Sequence, residues 1–234
     1  MRRQIIVSAP VSSGRGRHKQ LPDAVTSYVR EQIMSGNLKP GEFLRMEPIA
    51  ETVGVSITPV REGLLRLSNE GFVTAVPRRG FVVAEFTRQD VRDLFWAQAQ
   101  LSGELAARAA ERITDVQLQQ LEEVMAQCDA AVSSGNTEAI GDLGHQFHRL
   151  INLAADSDRL ARLLASIVKH LPNSFYASIE SHVRTVTPEH HQMLDALTAH
   201  DAQRAREITE KHIVNSADYV VQMLEERGLW KDAE

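Results

Sequence analysis

The chain has 234 residues, 43% of them hydrophobic and 24% charged, with a net charge of −5. That length suits two modest domains, and the composition is that of a folded globular protein rather than a disordered or collagenous one. No apolar run approaches a membrane span, and the run at residues 5–7 is too short for the core of an export signal.

Residues 1–20, with Ser12-Ser13-Gly14-Arg15-Gly16-Arg17, read as a flexible basic tail. Residues 22–35 place Ala24, Val25, Tyr28, Val29, Gln32 and Ile33 at helical spacing and predict an amphipathic helix. The run Gly36-Asn37-Leu38-Lys39-Pro40-Gly41-Glu42 is rich in breakers and predicts a turn. Residues 47–53 predict a short helix, and Gly54 supplies the turn after it. Ser56 or Thr58 can cap the next helix, whose first turn tolerates Pro59 because the missing N–H has no partner there. Val60, Leu64 and Leu67 recur at i, i+4 and i+7 and predict one buried stripe. Ile57, Thr58, Arg61 and Leu65 fall on the other faces. Helix, glycine turn, helix is the helix-turn-helix layout. Residues 71–76 and 80–84 then predict two short strands around Pro77-Arg78-Arg79-Gly80, a basic hairpin tip. Three helices and a basic hairpin make a winged helix-turn-helix.

Charge divides along the same line. Residues 1–80 hold 12 Lys/Arg against 7 Asp/Glu, and the rest of the chain holds 14 against 24. A basic head of +5 on an acidic body of −10 is expected when only the head meets phosphate.

The N-terminal motifs are "SGNLKPGEFL", "IAETVGVSITPVREGLLRLSNEGFV" and "PRRGFVV". In this combination, over residues 22–84, the chain resembles the GntR family of bacterial transcription regulators. The resemblance implies a homodimer on a palindromic operator in double-stranded DNA. Ser56, Thr58 and Arg61 would meet the major groove. Arg45, Arg66, Arg78 and Arg79 would mainly neutralise phosphates, and Gly80 would let the wing backbone approach the minor groove. Ile57 departs from the family, which usually has a base-reading Arg there.

From Thr87 onward the pattern is helical, and Thr87-Arg88-Gln89-Asp90 has the form of a capping box. Helices are expected over 88–112, 114–134, 138–155, 158–182, 188–200 and 201–227, with Gly135-Asn136 as a break. The fold class is therefore mainly α: a winged helix-turn-helix at 21–86 and an all-α bundle at 87–228. The bundle resembles the FCD domain, the effector-binding and dimerisation domain of the largest GntR subfamily.

Eight of nine histidines lie in this half. His190 and His212 are spaced to face each other across an antiparallel helix pair, and His148 follows Phe147 in "HQFHRLI". By resemblance, His148, His190 and His212 would hold a divalent metal, and neutral imidazole suits zinc or nickel. The family's fourth ligand, an Asp four residues before the first His, is replaced by Gly144. His145, Asp142, water or an effector carboxylate would complete the shell. Gln98 and Ser102 stand where relatives carry an effector-gripping Arg and a Glu. The effector, expected to be a small organic acid, would meet Gln98, Ser102, His145 and Arg149; because Gln98 supplies no charge, either the effector is less acidic than usual or Arg149, Arg162 or Arg184 grips it.

The expected function is a regulator, acting as a repressor, whose operator affinity responds to that acid. Cys128 stands alone, so the reducing cytoplasm is the expected compartment. Two alternatives remain open. One is a hydrolase using the three-His metal to activate water; the other is a DNA-binding protein with no effector. No HExxH, nucleophile elbow or phosphate loop supports an enzyme.

Overall fold

The computed structural model describes residues 15–171, 179 and 183–230, with side chains for 21–136, 139–171, 179 and 188–230. It divides into two compact units. One joins the chain up to Val29 with Gly41–Ala84, the other Arg30–Pro40 with the chain from Glu85.

The first unit contains most of α1 (Arg15–Met34), then β1 (Phe43–Leu44), α2 (Met46–Val53), α3 (Ile57–Asn69), β2 (Val73–Val76) and β3 (Gly80–Val83). Helix α1 opens at Arg15, inside the segment expected to be a tail, and carries Pro22 within it. His18-Lys19-Gln20-Leu21 are adequate helix formers and extend it upstream. Residues 1–14 lie outside the described residues. Gly54 ends α2 in the left-handed region at φ 73°, as the glycine turn requires. Val60, Leu64 and Leu67 are fully buried, together with Val25 and Val29 of α1. Gly63 makes the close approach of α1 and α3 possible, since a Cβ there would fall 2.8 Å from Val25 Cγ1. The three strands form one antiparallel sheet in the order β1-β3-β2, with Val76 paired to Gly80 at the tip. Strand β1 was not expected from sequence, because two residues carry no readable alternation.

The second unit is helical among the described residues: α4 (Arg88–Arg112), α5 (Asp115–Ser134), α6 (Thr137–Ala154), α7 (Asp158–Val168), α8 (Val183–Thr198) and α9 (Ala202–Glu226). Capping sets the boundaries. Thr87 with Asp90 and Thr114 with Gln117 form reciprocal capping boxes. Gly135 closes α5 at φ 70° and Asn136 caps α6 through Ala139 N–H. The helix expected over 158–182 ends at Val168, because Leu171 precedes Pro172 and that position disfavours helical backbone. Residues 172–178 and 180–182 lie outside the described residues. Helix α8 begins at Val183 rather than at Pro188. Helices α4 and α9, each 25 residues, pack together, and Gly103 sits at their crossing. Around them Leu105, Leu121, Phe147, Met193 and Leu197 form the core. No helix among the described residues is long and apolar enough to cross a membrane.

Candidate functional site

In the first unit, the buried stripe of α3 fixes which side chains face out. Ile57, Thr58, Arg61 and Leu65 are exposed. Ser56 occupies the N-cap position in extended conformation, but its hydroxyl makes no capping bond, contrary to the sequence expectation. The hydroxyl is therefore not committed to the helix. Arg61, Leu65, Val76, Arg78 and Arg79 line one open concavity between α3 and the hairpin, and no carboxylate lines it. At the hairpin tip Arg78 has φ 61° and Gly80 has φ 106°, and the glycine takes the latter without strain. Arg79 lies over the Phe43 ring at 4.7 Å, so β1 steadies the wing cation. Arg45 is exposed at the start of α2. Arg66 differs from the others: it forms an ion pair with Asp23 of α1 and so is engaged within the fold.

In the second unit, three helices bring the expected histidines together. His148 comes from α6, His190 from α8 and His212 from α9. Their ligand atoms all lie within 4.8 Å of one another. His190 is 1% exposed and His212 2%. The Phe147–His148 pair has a physical reason. Phe147 is buried and stacks on the His190 ring at 4.8 Å, fixing its plane.

The Nε2 atoms of His148 and His190 are 3.2 Å apart. Two imidazoles about 2.1 Å from one tetrahedral metal have nitrogens roughly 3.4 Å apart, so this pair suits a shared cation. His212 Nδ1 donates to Glu189 Oε2 at 2.8 Å, and Asn215 Nδ2 donates to the other oxygen, Oε1, at 3.2 Å. The His212 hydrogen bond holds the Glu189 carboxyl below its ordinary range, against the opposing effect of burial. An ionised carboxylate only accepts, so Nδ1 carries the proton and Nε2 is left as the ligand atom. That orienting carboxylate is the usual partner of a metal-binding histidine. The residues present fit a divalent metal with three protein ligands and an open position. His191, next in sequence, points elsewhere and pairs with Asp129 at 3.1 Å. Asp142 is exposed and outside the cluster, which removes it as a fourth ligand.

A cavity of about 320 Å³ opens beside the trio. Gln98, Ser102, His145, His148, Arg149 and His212 all line it, so the expected effector residues do converge. Arg162 does not line it; it pairs loosely with Asp158 one turn away. The Arg184 side chain lies outside the described residues. Sequence reasoning missed Thr209 and Ser216, which lie three residues before and four after His212 on α9 and share its face. That helical spacing was the signal that would have found them.

Such a winged head with a separate helical domain around a histidine-lined cavity defines a two-domain DNA-binding regulator. Residues 21–83 match the family described as bacterial regulatory proteins, gntR family, and residues 93–215 match the FCD domain. The chain belongs to the GntR family, within its FCD-domain branch, and is a DNA-binding transcription regulator. It is similar to the HTH-type transcriptional regulator McbR of Escherichia coli K12, at 28% identity over 83% of this chain and 90% of that one. A solved structure of E. coli McbR/YncC matches with TM-score 0.64 and 26% identity, covering 87% of this chain and 98% of that one. The HTH-type transcriptional repressor RspR of E. coli K12 is 25% identical over 86% of this chain and 90% of its own. The family and these relatives are transcription regulators, not enzymes, and the hydrolase alternative has no support.

Proposed function

We propose that the chain is a homodimeric, metabolite-controlled repressor that binds a palindromic operator. In this reading, an organic acid reaches a divalent metal, zinc or nickel, held by His148, His190 and His212. The observation that carries it is the trio itself: three converging imidazoles, one oriented by Glu189 and two of them, His148 and His212, at the wall of a cavity, in a domain whose family can bind metals. A bound metal supplies a Lewis-acidic anchor for a carboxylate. The chain's own part is to orient the rings and to supply Gln98, Ser102, His145 and Arg149 around the bound acid.

At the DNA, Ser56, Thr58 and Arg61 read the major groove. Arg45, Arg78 and Arg79 neutralise phosphates, and Gly80 brings the wing close to the minor groove. The acid-free concavity between α3 and the hairpin supports this assignment. Arg66 holds α1 against α3 through Asp23 instead. A dimer would place two reading heads on half-sites about one helical turn apart. Exposed Trp96 and Val214 beside the Arg92–Asp218 pair on α4 and α9 supply an apolar face for it. The acid must bind the DNA-competent and DNA-incompetent states with different affinity, or no switching follows. Repression accords with the relative RspR, which is named a transcriptional repressor.

The test selects bound sequences from a random DNA pool with the purified protein, then repeats binding with zinc or nickel and organic acids. Enrichment of a palindrome whose affinity changes on adding an acid is expected. A palindrome insensitive to every acid and metal would leave a regulator without an effector and overturn the sensor reading.

A further inference from the structure

The cavity beside the His trio has two unlike halves. Helices α4 and α9 supply Gln98, Ser102, Thr209 and Ser216, each between 3% and 8% exposed. The apolar part is formed by Ile151, Leu164 and Val168 of α6 and α7 with Phe95 of α4 and Ile213 of α9, while α6 also brings His145, Arg149 and Asn152 to the wall. Among the described lining residues no side chain is acidic, and the one full positive charge is Arg149, which is exposed. A second carboxylate on a ligand would have only the exposed Arg149 as a fixed positive partner, and a charge buried deeper without one is costly. Thr209 gives an independent sign of what is bound. It is 3% exposed, its Oγ1 is enclosed, and that atom has no hydrogen-bond partner. A buried hydroxyl without a partner is costly, and a ligand oxygen would relieve it. The volume, about 320 Å³, corresponds to roughly ten water molecules.

We infer that the effector is a monocarboxylate with an apolar body of about five to eight carbons. Its carboxylate meets the His148–His190–His212 end and accepts from Thr209, and its chain lies along Ile151, Leu164 and Val168. This rests on the effector reading above and adds the class of acid.

The test uses the full-length zinc-loaded protein and calorimetric titration with acetate, butanoate, hexanoate, octanoate, succinate and citrate. Affinity should rise about threefold to fourfold per added methylene up to octanoate. Succinate and citrate should bind at least tenfold more weakly than octanoate. Thr209→Val should weaken octanoate roughly fivefold to tenfold without changing zinc affinity. Val168→Phe, which fills the apolar half, should abolish octanoate binding while acetate still binds. Tighter binding of citrate or succinate than of octanoate would overturn the proposal and leave the sensor reading standing. Binding by none of the six acids would overturn the monocarboxylate proposal, and the DNA-affinity test above would then decide the sensor reading.

Discussion

Glu189 and His212 sit on different helices, and the carboxylate accepts from the imidazole Nδ1 at 2.8 Å. The contact fixes the tautomer of a ring only 2% exposed and turns its other nitrogen toward His148 and His190. Removing such an orienting carboxylate typically costs tenfold to a hundredfold in metal affinity. Glu189→Ala should therefore weaken zinc binding by that factor, measured by competition with a chelator. Helical content should be unchanged, because Glu189 is half-buried and outside the apolar core. Unaltered zinc affinity would mean that the Glu189 contact does not serve a metal.

Arg61 and Arg66 lie on the same helix but should behave differently. Arg61 is exposed and lines the acid-free concavity, whereas Arg66 is paired with Asp23. Arg61→Ala should abolish specific operator binding in a gel-shift assay with fold and dimer intact. Arg78→Ala should weaken all DNA sequences alike and lower the slope of log affinity against log salt by about one. Arg66→Ala should leave that slope unchanged and lower the unfolding temperature instead. Ile57, 38% exposed at the start of α3, offers a thymine methyl an apolar contact. Ile57→Arg should shift selected operators toward a guanine at one position of each half-site.

Much of this was readable from the sequence, and the gaps have physical causes. The buried stripe of α3, the capping box at Thr87 and the Gly135 break are local signals, and local chemistry decided them. His190 and His212 were placed by spacing that a helix pair enforces, and His148 by the family resemblance. Asp23 and Arg66 are 43 residues apart, and Thr209 shares a cavity with Gln98 and Ser102 only because α4 and α9 pack together. Pairings at that separation leave no periodic trace. Strand β1 and the early end of α7 were missed because two residues carry no alternation and because Pro172 outweighed an apolar helical pattern.

Gly63 tests whether propensity or packing governs α3. Alanine in a helix interior is favoured over glycine by about 1 kcal/mol. A Cβ at residue 63, however, would lie 2.8 Å from Val25 Cγ1, 2.9 Å from Val25 Cβ and 3.1 Å from the Pro22 carbonyl oxygen. A branched side chain and a main-chain oxygen cannot swing away, and overpacking costs about 1–3 kcal/mol. Gly63→Ala should thus destabilise the protein by about 1–2 kcal/mol in urea unfolding. Gly103→Ala should cost less, since the atoms it meets belong to Glu210, whose longer side chain can rotate.

Glu104 should make stability depend on acid pH. Hydrogen bonds from Arg108 and Arg206 hold its carboxyl below the ordinary value of 4.5, with burial opposing. A depressed folded-state pKa means that the stabilisation is complete above 4.5 and is lost as pH falls through the lower folded value. Glu104→Gln should cost about 1 kcal/mol at pH 7. The gap between wild type and variant should close as the solution is acidified below 4.5. A gap constant from pH 7 to pH 3 would show that the Glu104 charge contributes nothing.

Trp96 bears on the proposed dimer. It is 62% exposed on α4, near Val214 of α9 at 45%, and Arg92 and Asp218 flank the pair with opposite charges. In a two-fold interface the same patch meets itself, so Trp96 is buried twice and the flanking charges can cross-pair. Truncating a central interface tryptophan costs about 2 kcal/mol or more. Two copies give about 4 kcal/mol, roughly a thousandfold in the dimer dissociation constant. Trp96→Glu should therefore yield monomers at micromolar concentration in sedimentation velocity. Operator affinity should fall with it, because a monomer engages one half-site. A variant that still sediments as a dimer would move the interface to another face of the helical domain.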